Sequence, residues 1–429
     1  MTAAQPPADD RLARRLGLRD AVVIGLASMI GAGVFAVWGP AAQASGAWLL
    51  AGLAIAGFVA FANAGSTGQL AARYPESGGA YRYGRERLGE WPGFLAGWGF
   101  VVGKTASCAA MAMTAADYLL PGPWEKPVAV LAVVALSAVN LRGITRTARA
   151  AAIIVVVVLG VLALVLASGV ADLVQVGVRS QQEQGVPDAG WYGVLQSAGL
   201  LFFAFAGYAR IATLGEEVRD PARTIPRAIA IALGVVVAVY GALAVVLLLV
   251  LGPAYLAAGV DAPLADLVAV SGWAWAVPVV QVGAGLAALG ALLALIAGIG
   301  RTALAMARDR ELPAPLAAVH PRFGVPHVAE IAVAVAVVVL VLVADLRGAI
   351  GFSSFGVLVY YLVANASALT QPSTERRVPR WLSAAGAIGC LVLVATLPVE
   401  SVLAGLAVFA VGAVYRSVRL AVARRRTDG

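Results

Sequence analysis

The feature that most constrains this chain is a series of apolar segments, each long enough to cross a lipid bilayer. A helix needs about 20 apolar residues to span roughly 30 Å of hydrocarbon, and by that rule the sequence contains about twelve spans. They cover residues 18–42, 47–72, 89–119, 127–141, 148–170, 191–213, 228–251, 273–307, 328–344, 349–370, 381–397 and 401–420.

The composition supports the same interpretation. Of the 429 residues, 61% are hydrophobic and 13% are charged, and the mean hydropathy is +0.88. A soluble domain carries about a quarter charged residues, and no soluble fold could bury so much apolar surface. Lipid must be the solvent for most of the chain, which predicts an all-α integral membrane protein.

The net charge of +8 does not indicate nucleic acid as a partner, because the charges cluster between the apolar runs. Such clusters orient membrane proteins, with lysine and arginine on the cytoplasmic side. If the N-terminus is cytoplasmic, most of the 31 lysines and arginines are cytoplasmic too. The exceptions are Lys126, Arg179 and Arg347 outside, and Lys104, Arg210 and Arg301 within spans. We therefore expect a multi-pass protein of the cytoplasmic membrane with both termini inside.

Several other classes lack their usual residues. Cys108 and Cys390 lie in apolar runs and form no CxxC pair, so neither a disulfide nor a metal site is expected. His320 and His327 are not part of a cluster of acidic residues and histidines, which argues against an enzyme. The polar first twenty residues lack the apolar core of a cleavable signal. We expect no metal and no cofactor.

Two segments between the spans have patterns of their own. Residues 74–87 form either an amphipathic segment at the cytoplasmic interface or a simple loop. Residues 255–271 have the pattern of two short helices on the outer face, with Pro253 and Pro263 as breaks.

Glycine interrupts two spans near their middle, at residues 30–33 (IGAG) and 205–208 (FAGY). Glycine costs about 1 kcal/mol relative to alanine inside a helix. Unwound backbone at that depth is tolerated only where it lines a buried or watered cavity, and a matched pair of broken helices indicates the substrate site of a transporter. The alternative is simple helix packing, because glycine is common in membrane helices and this chain has 48.

The sequence around these breaks resembles the amino acid–polyamine–organocation superfamily. The blocks that carry the resemblance are IGLASMIGAGVFAVWGPAAQASG, YPESGGAYRYGRERLGEWPGFLAGWGF, FFAFAGYARIATLGEEVRDPARTIPRAI and RTALAMARDRELPAPLAAVHPRFGVP. They occur in order over nearly the whole chain.

The resemblance implies a LeuT-like fold, in which an inverted repeat of five plus five helices has discontinuous helices 1 and 6. The repeats would cover about 18–170 and 191–370, with helices 11 and 12 over about 381–420. The transporter domain would then occupy 18–420, between cytoplasmic tails at 1–17 and 421–429. The resemblance also implies secondary active transport of an amino acid by alternating access.

The resemblance further implies a set of site residues. The substrate carboxylate would meet the backbone of Gly31, Ala32 and Gly33, and its ammonium the carbonyls near Met29, Phe203 and Ala206, with Gly207 completing the site. Phe203, flanked by Phe202 and Phe205, would close the site from outside. Further gate candidates are Tyr208, Arg210, Glu216 and Glu217. Arg210 could equally be a partner of helix-end carbonyls or a substrate contact.

The sequence departs from the family pattern in three places. Many relatives have GFD after the second break, whereas this chain has Gly207-Tyr208-Ala209. Val158 stands where cation transporters of the family often carry a lysine. The eighth span shows no Ser/Thr pair at the depth of the usual sodium site. We therefore do not expect sodium coupling, and the known lysine-based proton coupling is in doubt.

Lys104 is the candidate for coupling or selectivity. An ionisable group in mid-membrane is a functional hypothesis by default, and desolvation favours the neutral amine, which suits a proton carrier. A charged Lys104 beside the site would repel cationic substrates, so neutral amino acids are expected, then acidic ones. The alternative is that Lys104 only binds backbone carbonyls. An exchanger, an amino acid sensor or a channel of the same fold remain further alternatives.

Overall fold

The computed structural model describes residues 16–74, 78–120, 122–143, 148–178, 190–212 and 217–427. In chain order its helices are α1 (Leu18–Met29), α2 (Gly33–Ala36), α3 (Trp38–Ser45), α4 (Leu49–Arg73), α5 (Ala80–Leu88), α6 (Glu90–Leu119), α7 (Glu125–Leu141), α8 (Ala148–Gln175), α9 (Gly190–Phe205), α10 (Ala209–Ala212), α11 (Pro221–Val250), α12 (Pro253–Ala257), α13 (Pro263–Val270), α14 (Val277–Arg308), α15 (His327–Val343), α16 (Leu346–Leu369), α17 (Arg380–Thr396) and α18 (Val399–Thr427).

The described helices have the lengths and compositions that a bilayer requires. Within those ranges, nine helices are long and apolar enough to cross a membrane, and two shorter apolar helices, α15 and α17, accompany them. Large apolar side chains such as Leu131, Val156 and Val339 are exposed on their faces, which is the arrangement expected in lipid. The protein is an all-helical, multi-pass membrane protein, while the count of about twelve spans stays a prediction.

Helix α6 lies at the centre of the bundle. It packs against α16, where the hydroxyl groups of Ser107 and Ser353 are hydrogen-bonded at 2.6 Å. It also packs against α14 through small buried side chains, among them Ala115 and Ala288, which contact Ala32 next to the first break. Small residues allow membrane helices to approach closely, and here they bring α6 and α14 up to the first break.

The short helices between the spans lie at the two ends of the bundle. α5 occupies the predicted amphipathic segment, on what we call the inner side together with the arginine-rich end of α18. α12 and α13 begin at the predicted breaks Pro253 and Pro263, on what we call the outer side. Proline suits the first helical turn because its missing N–H would have no partner there.

An ionic cluster on the inner side joins α5, α6, α14 and α18. Glu311, just after α14, accepts hydrogen bonds from Arg85 at 2.9 Å and, through its other oxygen, from Arg416 of α18. Arg416 also bonds Glu90 at 3.2 Å and lies over the ring of Trp91. Because Arg416 and Glu311 are both buried, their charges compensate each other and fix α18 against the bundle.

The helix bounds differ most from the predicted spans at α11 and α18. α11 begins at Pro221, well before the predicted start of that span at 228. α18 continues to Thr427, beyond the predicted end of the last span at 420, so the predicted tail 421–429 begins as helix. Arg416, near the end of the predicted span, is held by Glu311 and Glu90, and hydropathy does not reveal these contacts.

Candidate functional site

The first predicted break lies between α1 and α2. α1 ends at Met29, Ile30 leaves the helical conformation with φ −85° and ψ 56°, and α2 starts at Gly33. The N–H groups of Gly31, Ala32 and Gly33 therefore stand at the start of a new helix, where no carbonyl of that helix can reach them. They are free to bind an acceptor.

The second predicted break separates α9 from α10. α9 ends at Phe205, and a single tighter turn covers Ala206–Tyr208 before α10 starts at Ala209. The last carbonyls of a helix lack partners within it. The carbonyls at the end of α9 are therefore available to donors from other elements.

The two breaks touch each other through their backbones. A Cβ atom on Gly207 would lie 2.1 Å from the carbonyl oxygen of Ser28, and a Cβ on Gly33 would lie 2.7 Å from Cα of Ala204. No side chain larger than hydrogen fits at either contact. The structure thus brings the predicted backbone residues of both breaks into one site, where N–H groups suit a carboxylate and carbonyls suit an ammonium.

Lys104, on α6, faces the second break. Its Nζ donates a long hydrogen bond of 3.5 Å to the carbonyl oxygen of Ala206, and the side chain is 9% exposed. No described carboxylate forms a salt bridge with it. A buried ammonium held only by weak polar contacts is costly, and that cost would fall if a substrate carboxylate approached or the amine lost its proton.

Tyr361 of α16 reaches the same carbonyl. Its hydroxyl donates to Ala206 O at 3.2 Å, so one acceptor in the second break receives donors from α6 and α16. A substrate ammonium that binds this oxygen has to compete with both donors. The position of Lys104 thus satisfies the backbone-carbonyl alternative and also places the amine in the site.

Tyr240 of α11 connects the two breaks. Its hydroxyl lies 2.8 Å from the carbonyl oxygen of Met29 and 3.3 Å from that of Ala204. A hydroxyl has one proton, so it bonds one carbonyl at a time. Tyr240 therefore links the end of α1 to the end of α9.

The three phenylalanines of α9 have different surroundings. The ring of Phe202 packs edge-on against Tyr361 at 5.8 Å, and that of Phe205 packs on Tyr240 at 5.2 Å. Phe203 makes no such ring contact with a described aromatic residue and is 8% exposed. Phe203 is thus the least confined of the three, which suits its predicted role as a movable outer gate.

Tyr208 lies in the second break, on its inner side. Its ring stacks on Tyr361 at 4.9 Å, and its buried hydroxyl lies near the side chains of Tyr361 and Asn63. Tyr208 thus packs against the same tyrosine that donates to the carbonyl of Ala206.

The remaining gate candidates lie further toward the inner side. Arg210 is exposed, and its charge interacts with Glu217 and with Arg301 of α14. The carbonyl of Glu217 accepts a hydrogen bond of 3.0 Å from the N–H of Leu16, which ties the start of α1 to the segment after α10. Glu216 lies outside the described residues.

Comparison with known proteins identifies the family. A family model described as amino acid permease matches residues 16–418. The chain belongs to the amino acid permease family. Like the other members, this permease is a transporter and not an enzyme, and its broken helices and buried lysine lie within the matched region.

The names of the relatives of this permease mention different substrates. It is 59% identical to an uncharacterized transporter of Mycobacterium tuberculosis over 97% of this chain and 93% of that protein. It is 28% identical to the branched-chain amino acid permease BcaP of Bacillus subtilis over 74% and 72% of the two chains. It is also 28% identical to the chloroplastic cationic amino acid transporter 7 of Arabidopsis thaliana over 85% and 67%.

Sequence reasoning missed the tyrosines of this permease that line the site. Tyr240 and Tyr361 lie within apolar spans, far along the chain from the breaks that they contact. A lone tyrosine in an apolar span does indicate a hydroxyl that needs a partner. The sequence alone does not reveal which carbonyl that partner is.

Proposed function

We propose that this permease carries neutral amino acids across the cytoplasmic membrane as a secondary transporter that works by alternating access. The observation that carries the proposal is the backbone contact between the two breaks, at Gly207 and at Gly33, beside a buried lysine. That arrangement offers the N–H groups at the start of α2 and carbonyls whose present partners, Lys104, Tyr361 and Tyr240, a substrate ammonium could replace. A zwitterion with an α-carboxylate and an α-ammonium is the ligand that needs both.

The proposed architecture is an inverted repeat over about 18–170 and 191–370, followed by two helices over about 381–420, with both termini cytoplasmic. In support, one broken helix belongs to each half. A broken helix in corresponding positions of two halves indicates a midplane substrate site between a moving bundle and a scaffold. The transporters from which that rule was drawn have the fold proposed here.

The proposed substrate class follows from Lys104. A cationic side chain would bring a second positive charge into a dry pocket, and that repulsion is expensive at low dielectric. Neutral side chains meet no such penalty, and the relative BcaP is named a branched-chain amino acid permease. Acidic amino acids are the second candidate, because a charged Lys104 would attract them.

We propose that protons drive the transport and that Lys104 carries them. Its amine has a weak bond to Ala206 O and no described carboxylate partner, so a change of its protonation state changes how strongly it holds the second break. If Lys104 releases the carbonyl oxygen of Ala206, that oxygen can accept a hydrogen bond from the substrate ammonium. Substrate binding and proton transfer would then be linked at one oxygen atom.

The test is uptake by purified protein in proteoliposomes, across labelled neutral, acidic and cationic amino acids, with and without an inward proton gradient or internal substrate. We expect gradient-dependent uptake of neutral amino acids. Uptake of acidic amino acids alone would mean that these, and not neutral ones, are the substrates. Uptake only with internal substrate would indicate an exchanger. Failure to take up any amino acid would contradict the proposal.

A further inference from the structure

Arg347 joins three helices on the outer side of the bundle. It lies in the first turn of α16, and its Nη1 donates to the side-chain oxygen of Gln43 on α3 at 3.1 Å. Its Nη2 donates to the side-chain oxygen of Gln196 on α9 at 2.9 Å. A planar guanidinium can bridge two acceptors in this way, whereas a lysine ammonium is a point charge.

The two helices that Arg347 bridges are the outer halves of the broken helices, and they are also bonded to each other. The hydroxyls of Ser45 on α3 and Ser197 on α9 lie 3.1 Å apart. α16 in turn is bonded to α6 through Ser353 and Ser107. Arg347 therefore connects a pair of outer half-helices to a helix that is fixed on the central α6.

The outer side of the site is covered. Phe203 is nearly buried, and Gly259, between α12 and α13, lies against the side chain of Gln43. The bonds of Arg347 thus belong to a conformation that is closed outside.

We propose that Arg347 is the outer latch of this permease, a positioning residue that holds α3 and α9 against α16 whenever the outer path is closed. The proposal rests on the alternating access of the proposed function. Both acceptors are neutral amides, so opening the latch separates no ion pair, and water can replace each bond. The latch can therefore stabilise the closed conformation and still open once per transport cycle.

Ser354 provides a reporter for the latch. Residues seven apart on a helix share a face, so Ser354 lies on the face of α16 that carries Arg347 and Tyr361, and it is buried. We would introduce Ser354→Cys into a background with Cys108→Ala and Cys390→Ala. The rate of labelling by a membrane-impermeant methanethiosulfonate, added outside intact cells, then measures how often the outer path opens.

We expect Arg347→Gln to raise the labelling rate about tenfold, since it removes two hydrogen bonds from a charged donor. Gln43→Leu removes one acceptor and should give a smaller rise. The matched control is Lys126→Gln, which removes another outer cation, bonded at 3.0 Å to Leu342 O of α15; it should leave the rate unchanged.

An unchanged rate in both Arg347→Gln and Gln43→Leu, or an equal rise in Lys126→Gln, would overturn the latch. The labelling needs no transported substrate, so its result is separable from the uptake assay. If no amino acid is taken up while Arg347→Gln still speeds labelling, the proposed function fails and the latch stands. If uptake occurs and labelling does not respond, the latch fails alone.

Discussion

Lys104 and Tyr361 donate to the same atom, the carbonyl oxygen of Ala206, at 3.5 and 3.2 Å. They come from α6 and α16, while Ala206 lies in the break between α9 and α10. The two donors together occupy the acceptor that a substrate ammonium would need. Any substrate that binds there has to weaken at least one of these bonds, and this competition links binding to movement of the break.

The first prediction concerns Lys104→Met, which keeps an unbranched side chain of similar size and removes its charge and its donors. We expect uptake to fall about tenfold or more, or to lose its dependence on the proton gradient, since proton transfer by a positioned group contributes at least that much elsewhere. Uptake at several external pH values measures both outcomes.

Lys126→Met is the control for that variant, because Lys126 is the other lysine of the chain and is exposed on the outer side. Uptake should be unchanged in this control. If Lys104→Met keeps full uptake with the same pH dependence, Lys104 has no role in coupling.

Tyr361→Phe removes a hydroxyl donor and leaves the ring contacts with Phe202 and Tyr208. One neutral hydrogen bond contributes about 1 kcal/mol, so we expect the transport rate or the apparent affinity to change about fivefold. Initial uptake rates over a range of substrate concentrations separate the two. If Tyr361→Phe has the transport rate and the apparent affinity of the wild type, the bond from Tyr361 to the carbonyl oxygen of Ala206 does not affect transport.

Gly207→Ala should abolish transport, because its Cβ would overlap the carbonyl of Ser28 at 2.1 Å. Gly234→Ala is the matched control, since a Cβ there meets nothing within 4 Å and alanine favours helix by up to about 1 kcal/mol. Thermal unfolding and uptake of both purified variants provide the comparison. Normal uptake by Gly207→Ala would mean that the two breaks do not need to touch.

Glu311→Gln should destabilise the inner side, because it removes the buried anionic partner of Arg416 and leaves only the exposed Glu90. Removing one partner of a buried ion pair costs about 3–5 kcal/mol. The control is Glu86→Gln, whose exposed pair with Arg82 contributes less than about 1 kcal/mol. Equal melting temperatures for the two variants would contradict the structural role of the cluster.

Hydropathy and glycine placement allowed much of the fold to be predicted. The interruptions of α1 and α9 fall at the predicted residues 30–33 and 205–208, because glycine in mid-span has a local cost that the sequence displays. The starts of α12 and α13 at Pro253 and Pro263 follow from proline in the same way. These features depend on neighbours in the chain.

The contacts that complete the site depend on residues that are distant in the chain. Tyr361 lies 155 residues from Ala206, and Tyr240 lies 211 residues from Met29. Arg347 was predicted only as one of the outer charges, because its two glutamine partners are on other helices. Helix rotation and packing decide these pairs, and the apolar pattern of a membrane helix carries little information on rotation when lipid and protein neighbours are equally apolar.

The central claim is that the backbone of the two breaks binds both α-groups of an amino acid. The most direct test is competition against uptake of the best neutral substrate by its amide, which lacks the carboxylate, and by its deaminated acid, which lacks the ammonium. We predict that the unlabelled substrate competes. Both analogues, at about a hundredfold excess over the substrate's half-saturating concentration, should fail to compete, since each leaves buried polar groups of the site unpaired. Equal competition by either analogue would contradict the account.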